Sequence, residues 1–183
     1  MQFIRTLIGI SVSTIIFIFS GQAQNKYVGV KMCAMCHKTE KQGKQLEVWQ
    51  KGKHAEAYKI LTSARADSIA KAKGLKKPAA LSPECLTCHV TGFDLDANLL
   101  DKNFDSKDGV QCETCHGAGS NYKVITIMKD KKKAIAAGMT EYKDEAAIEK
   151  HCKTCHNEKS PVYKDFKFKE MWAKIKHPVP KAG

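Results

Sequence analysis

The stretch GVQCETCHGAG, residues 109–119, decides how this chain must fold. At its centre, Cys112 and Cys115 are separated by two residues, and His116 follows directly. C-x-x-C-H is the attachment signature of a c-type haem, in which two thiols form thioethers with the haem vinyl groups and the histidine binds the iron from one face. The pattern occurs four times, and we number the copies sites 1 to 4 in chain order: Cys33, Cys36 and His37; Cys85, Cys88 and His89; Cys112, Cys115 and His116; Cys152, Cys155 and His156.

Two other uses of the cysteines explain this pattern less well. The four sites use all eight cysteines of the chain. Zinc sites do contain paired C-x-x-C units, but zinc does not require a histidine directly after each pair. Disulfide pairing does not produce one repeated spacing. The sequence therefore predicts four covalently attached haem c groups, each containing one iron.

The length of the chain limits what kind of core it can build. With 183 residues and four haems, each haem is surrounded by only about forty residues, which is too few for an ordinary core. The porphyrins must then form the core, with apolar side chains packed over them. We expect a mainly α fold: a small multihaem cytochrome c with helices and long loops wrapped around four covalent haems, in a single domain over residues 24–183.

Residues 1–23 have the pattern of a secretory signal. Arg5 supplies a positive charge, residues 7–19 are apolar, and Gly21-Gln22-Ala23 is a small-residue cleavage site. The apolar run is short for a membrane span, although an uncleaved anchor is the alternative. We therefore expect a periplasmic or otherwise exported protein that keeps no stable membrane span once the signal is cleaved.

The chain has seven histidines, whereas four haem irons have eight axial ligand positions. Four histidines belong to the sites, which leaves His54, His151 and His177 as candidate distal ligands. His54 lies beside the apolar stripe of a predicted helix over residues 44–61, and His177 follows a predicted helix that begins near Phe168. Two further helices are predicted, one over residues 64–73 after the capping pair Thr62-Ser63 and ended by Gly74, and one over residues 140–150 that leads into site 4. At least one haem therefore lacks a distal histidine. That position is either vacant or filled by lysine, tyrosine or one of four methionines, Met32, Met128, Met139 and Met171.

The charge of the chain is strongly positive. The formal net charge of +12 becomes +11 when the signal, which carries one arginine and no acidic residue, is removed. Haem propionates offset much of this charge, at roughly two negative charges per haem, so nucleic-acid binding is not implied. The basic cluster 129–133 is either a solvated face or a docking patch for an acidic partner.

Four stretches resemble the tetrahaem cytochrome c-554 family. The likeness covers nearly the whole mature chain, from Tyr27 to His177, and the number and order of the motifs agree. The matching residues are Trp49 with His54-Ala55; site 2 with Val90 and Gly92-Phe93; Gly109-Val110, site 3 with Glu113, Gly117 and Gly119; and Phe166-Lys167-Phe168 with Glu170-Met171.

This resemblance implies a mostly helical fold in which haems form close pairs. It implies that three haems have two histidine ligands and that the haem of site 2 is five-coordinate. It also implies that His54 serves site 3 and His177 serves site 4. The chain departs from the family where the distal ligand of site 1 is expected: Ala118 replaces a proline, Tyr122 stands where histidine is common, and His151 is the histidine left for that role.

The leading functional hypothesis is an electron carrier between a redox-protein donor and a redox-protein acceptor. The best-known members of the family accept electrons from hydroxylamine oxidoreductase in ammonia-oxidising bacteria. The alternative is a haem enzyme that reduces a small nitrogen oxide, such as nitric oxide, at a five-coordinate haem. A third hypothesis, a conductive filament of stacked subunits, is disfavoured by the shortage of histidine ligands.

Overall fold

The computed structural model describes residues 24–179, so the predicted signal, residues 1–23, lies outside the described part. The described chain is mainly helical and contains no strand; its β-type pairing is one isolated parallel bridge between Tyr27 and Leu100. The mainly α fold is therefore confirmed. The helices are α1 (Val30–His37), α2 (Gln45–Lys51), α3 (Ala57–Leu61), α4 (Ala64–Ala72), α5 (Pro83–His89), α6 (Cys112–His116), α7 (Ile125–Met128), α8 (Lys131–Ala136), α9 (Glu145–Cys152) and α10 (Phe168–Ile175).

The haem sites coincide with helices. Sites 1, 2 and 3 occupy the ends of α1, α5 and α6, and site 4 begins at the last residue of α9. In a helix, residues three apart share a face, so the two cysteines of a C-x-x-C pair project to the same side. No helix among residues 24–179 exceeds nine residues, and helices this short depend on tertiary packing for their stability.

The protein core is small. Within residues 24–179, one cluster of buried apolar residues forms where α3 and α4 pack near α5, and its members are Leu61, Ala66, Ala70 and Ala79. Cys85 and Leu86 of α5 pack against this cluster. This apolar cluster therefore lies beside site 2.

Helix α4 follows its sequence signals. The side chain of Ser63 caps it by accepting a hydrogen bond from the Ala66 N–H at 3.2 Å. The helix ends before Gly74, whose φ of +74° suits glycine. The predicted bounds, residues 64–73, differ from the observed ones by a single residue.

The predicted helix over residues 44–61 is interrupted. Helix α2 stops at Lys51 because Gly52 turns to an extended conformation, and α3 starts only at Ala57. His54 therefore lies in a turn between two helices, not on a continuous helical stripe. The helix predicted over residues 140–150 likewise begins later, at Glu145, where Asp144 caps it by accepting from the Ala147 N–H at 2.8 Å.

The C-terminal helix α10 agrees with the prediction. It spans Phe168–Ile175, and His177 follows its end by two residues. Along the described residues, no helix combines the length and the apolar character needed to cross a membrane.

Candidate haem sites

The thiols of different sites lie near one another. The Cys33 thiol of site 1 and the Cys112 thiol of site 3 interact, and this interaction is the main reason why the pKa of Cys33 is raised and that of Cys112 is lowered. Burial, and then the neighbouring Cys155 thiol of site 4, raises the pKa of Cys88 in site 2 to about 11. Sites 1 and 3 are thus neighbours, and so are sites 2 and 4.

Site 3 also lies near site 4. Burial, followed by the nearby Cys152 thiol, raises the pKa of Cys115 to about 11. Cys115 belongs to site 3 and Cys152 to site 4, so site 3 has both site 1 and site 4 as neighbours.

Sites 2 and 3 are also joined through the backbone. The Thr91 hydroxyl accepts a hydrogen bond from the Gln111 N–H at 2.6 Å and lies 2.6 Å from the Thr114 hydroxyl. The Thr91 N–H donates to the Gly109 carbonyl at 3.0 Å. These hydrogen bonds hold the start of the connecting segment, residues 90–111, against its end.

Two pairs of histidine rings face each other at about the distance of axial ligands. The ring centres are 6.1 Å apart for His54 and His156, and 5.8 Å apart for His116 and His177. Two imidazoles on opposite faces of one iron have ring centres about 6 Å apart, because each metal–nitrogen bond is about 2 Å and each ring centre lies about 1 Å further. These spacings fit one iron between the members of each pair.

The combination of rings differs from the one that the family resemblance implied. His54 faces site 4 instead of site 3, and His177 lies beside site 3 instead of site 4. After α10 the chain returns to the start of α2, where the Gln45 side-chain amide donates to the Pro178 carbonyl at 3.0 Å.

The environment keeps these imidazoles in the form that binds iron. Burial, then the proximity of His177 and His37, lowers the pKa of His116 to about 4. Burial, then the neighbouring His156, lowers the pKa of His54. A lowered histidine pKa favours the neutral imidazole at neutral pH, and the neutral ring is the metal ligand.

The other two proximal histidines have partners at Nδ1. His89 Nδ1 lies 2.7 Å from the Ala57 carbonyl, which can only accept, so Nδ1 carries the proton and Nε2 is free to bind a metal. His37 Nδ1 lies 3.4 Å from Gln45 Oε1. The ring of His156 stacks on Phe166 at 4.7 Å, with an interplanar angle of 15°.

Two residues near the expected distal position of site 1 are engaged elsewhere. The buried Tyr122 donates its hydroxyl hydrogen to the Gly117 carbonyl at 2.7 Å. The ring of His151 lies 5.6 Å from Tyr142, whose hydroxyl donates to the Cys115 carbonyl at 2.9 Å. These contacts do not bring His151 to His37, so its role as the ligand of site 1 stays a prediction.

Sequence reasoning missed two buried polar side chains, those of Gln111 and Glu113, which flank Cys112. Both accept hydrogen bonds from the chain just before α1. The available signal was a carboxylate between the two cysteines of site 3, a position that the haem signature leaves unspecified.

The residues present fit covalent haem. The four thiol pairs each have an adjacent histidine, and the rings of sites 3 and 4 face second histidines. In residues 24–179, no three His, Cys, Asp or Glu side chains converge as they would around a zinc ion. Together with the helical fold, this donor set defines a c-type cytochrome.

Comparisons with known proteins support the family resemblance. The sequence pattern of the family described as cytochrome c554 and c-prime matches residues 32–117. Cytochrome c-554 of Nitrosomonas europaea is 27% identical in an alignment of 161 residues that covers 81% of this chain and 66% of the relative's length. The solved structure of the reduced state of cytochrome c554 from the same organism matches with a TM-score of 0.54 and 25% identity, over 84% of this chain and 79% of the other. The resemblance to the cytochrome c554 family is therefore confirmed.

Proposed function

We propose that this chain is an exported, periplasmic tetrahaem cytochrome that carries electrons from one redox protein to another. The observation that supports this most is the packing of the sites against one another: hydrogen bonds join site 3 to the start of α1 and to the segment after site 2, and the rings of His54 and His177 face sites 4 and 3. Haems attached at neighbouring sites are held close together, and closely spaced haems form a relay. The pattern of residues 1–23 supports export, and attached haem supplies one-electron chemistry.

In this proposal, the chain's histidines hold the irons and limit access to them. His116 with His177 would bind the iron of site 3, and His156 with His54 would bind that of site 4. Two protein ligands per iron leave no position for a substrate, which suits electron transfer. His37 and His89 hold the irons of sites 1 and 2, and His151 remains as the candidate second ligand for site 1.

A second candidate function is supported at site 2. A cleft of about 330 Å³ borders this site, and its lining includes Tyr58, Leu86, Val90, Phe93 and Phe104. Neither of the two facing ring pairs includes His89, so they provide no distal histidine for the iron of site 2. A small apolar ligand such as nitric oxide could enter such a cleft, so reduction of a small nitrogen oxide is the alternative activity.

The mature protein tests both functions. After export with a haem-attachment system, we expect a mass equal to the peptide from residue 24 onwards plus four haems, and a redox titration that accounts for four electrons per molecule. Three or fewer haems in fully matured protein would contradict the proposal. A high-spin iron that binds nitric oxide and turns it over would favour the enzyme, whereas binding without turnover would favour the carrier.

The partner is expected to dock through the basic patch, which we define as Lys131, Lys132 and Lys133 of α8. All three are exposed, with 71% of the Lys131 side chain and 68% of the Lys133 side chain accessible. Their ion pairs with Glu141 and Asp130 are exposed and therefore weak.

The patch lies close to site 3. The segment after α8 is fastened to that site by the Thr140 N–H, which donates to the His116 carbonyl at 2.9 Å, and by the hydroxyl of Tyr142 on the carbonyl of Cys115. An acidic partner attracted to the patch would therefore approach the haem of site 3.

Reversing the charge of the patch should slow electron transfer to an acidic partner. In the triple variant Lys131→Glu, Lys132→Glu, Lys133→Glu, we expect the second-order rate constant with an acidic flavodoxin at low ionic strength to fall by roughly tenfold or more, because electrostatic steering is lost. Stopped-flow absorbance measures this rate, and the difference from the unmodified protein should shrink as salt is added.

The matched control changes the same charge on exposed lysines elsewhere: Lys71→Glu, Lys73→Glu, Lys76→Glu, at and beyond the end of α4. This control should slow the reaction much less. An equal loss in both variants would mean that net charge alone guides the partner, and a larger loss in the control would place docking beside site 2.

A further inference from the structure

Two buried polar side chains stand on either side of Cys112. Glu113 is 1% exposed and Gln111 is 2% exposed. Burial of a charged or amide side chain is costly unless its polar atoms are hydrogen-bonded. A buried carboxylate between the two cysteines of a haem site is therefore stable only if its oxygens accept hydrogen bonds.

The partners of Glu113 are backbone N–H groups from two separate segments. Its Oε1 and Oε2 accept from the Val28 N–H at 2.8 and 3.0 Å, and Oε2 also accepts from the Gly29 N–H at 2.8 Å. Oε1 accepts from the Gly119 N–H at 2.7 Å. The carboxylate thus joins the chain before site 1 to the loop after site 3.

Gln111 completes the connection. Its side-chain oxygen accepts from the Val30 N–H at 2.7 Å, and its amide donates to the Asp105 carbonyl at 2.8 Å. Val28, Gly29 and Val30 lead into and begin α1, where backbone N–H groups have no partner within the helix. The two side chains that flank Cys112 therefore hold the start of the site 1 helix.

We propose that Gln111 and Glu113 form a clamp that sets the separation of the haems at sites 1 and 3, and that the buried Glu113 carboxylate lowers the reduction potentials of those two haems. The proposal rests on the covalent haems of the proposed function. Glu113 is a positioning residue, because it reaches the haems through the backbone of α1 and through Cys112.

The location of the carboxylate supports its electrostatic part. It adjoins Cys112 of site 3 and is bonded to the backbone directly before α1, which carries site 1, so its charge lies near both haem attachments. Its field also reaches the surrounding tyrosines: burial and then Glu113 raise the pKa of Tyr122 and that of Tyr27. A fixed negative charge in a poorly solvated place stabilises the oxidised, more positive iron and so lowers the reduction potential.

Glutamine cannot make all the hydrogen bonds of this carboxylate. All four contacts come from backbone N–H donors. A glutamine side chain has only one accepting oxygen, and its NH₂ group would face an N–H group. The loop also leaves little room: a Cβ on Gly119 would stand 3.0 Å from Glu113 Oε1 and 3.2 Å from Val28 Cγ2. An alanine there would push directly on the carboxylate.

The test is Glu113→Gln in the mature, haem-loaded protein. We expect the midpoint potentials of two of the four haems to rise and those of the other two to stay unchanged, as measured by spectroelectrochemical titration. Nuclear magnetic resonance should assign the shifted haems to sites 1 and 3, and the magnetic coupling between them should change in the electron paramagnetic resonance spectrum. The control is Glu84→Gln, an exposed carboxylate directly before Cys85, which should shift no potential comparably.

Three results would overturn the clamp: a folded Glu113→Gln protein with unchanged potentials, an equal shift of all four haems, or an equal shift in the Glu84→Gln control. If Glu113→Gln does not accumulate, Gly119→Ala provides the same test, because its methyl group displaces the carboxylate while the charge remains. It should move the potentials of the same two haems, and no movement would refute the proposal. Loss of haem stoichiometry in the unmodified protein would instead refute the proposed function, and mass spectrometry detects that separately.

Discussion

Replacing Cys112 and Cys115 together by alanine should prevent the exported chain from accumulating as a folded protein, rather than only removing one haem. Within residues 24–179, eleven apolar residues are buried, and five of these are alanines. Each large apolar side chain contributes about 1.5–3 kcal/mol when buried, so a core of this size cannot offset the loss of the contacts made by a whole porphyrin. Site 3 also carries Glu113, whose hydrogen bonds join the chain before α1 to the loop after site 3. The yield of soluble protein, haem staining and thermal unfolding would measure the effect.

A double substitution at other positions of the haem motifs provides the control. Thr87 and Thr154 lie between the cysteines of sites 2 and 4, and both are exposed. Thr87→Ala with Thr154→Ala should keep four haems and a melting temperature close to that of the unmodified protein. A Cys112→Ala, Cys115→Ala protein that stays folded with three haems and the original melting temperature would show that the protein core suffices without that haem.

The features that the sequence predicted correctly depend on local patterns. The haem signature spans five residues, so each site could be recognised without the fold. Helix α4 carries a capping serine, Ser63, at its start and Gly74 just after its end, and these signals act within one turn of the helix. Helix α10 has a sustained apolar periodicity, which is why its predicted bounds agree with the structure.

The features that the sequence could not predict depend on contacts between distant segments. Apolar periodicity over residues 44–61 suggested one helix, but the turn at Gly52 places His54 between two helices. Which iron a distal histidine serves depends on long-range packing, such as the contact between Gln45 and Pro178. The role of Glu113 was hidden for the same reason, because two of its three partners, Val28 and Gly29, lie about eighty-five residues earlier in the chain.

Replacing His54 or His177 by alanine should each convert one low-spin haem to high-spin, at two different sites. The ring pairs predict that His54→Ala affects the haem of site 4, because His54 faces His156, and that His177→Ala affects the haem of site 3, because His177 faces His116. Loss of a strong axial ligand leaves a five-coordinate iron and should also shift the potential of that haem alone. Electron paramagnetic resonance would count the high-spin irons, and nuclear magnetic resonance would assign the altered haem through contacts of its thioether protons with Thr114 in site 3 or Thr154 in site 4.

Phe166→Leu is the matched control for these variants. Phe166 stacks on the His156 ring without offering a ligand atom, so its replacement should alter the environment of the site 4 haem and leave all spin states unchanged. If His54→Ala altered site 3 and His177→Ala altered site 4, the pairing implied by the family resemblance would hold and the facing rings would not mark shared irons. If either substitution left the spectrum unchanged, that histidine would not be a ligand. One altered haem per variant, at the predicted sites, would establish that the haems of sites 3 and 4 each have two histidine ligands, so that the exposed patch on α8 leads a partner towards the histidine-ligated haem of site 3.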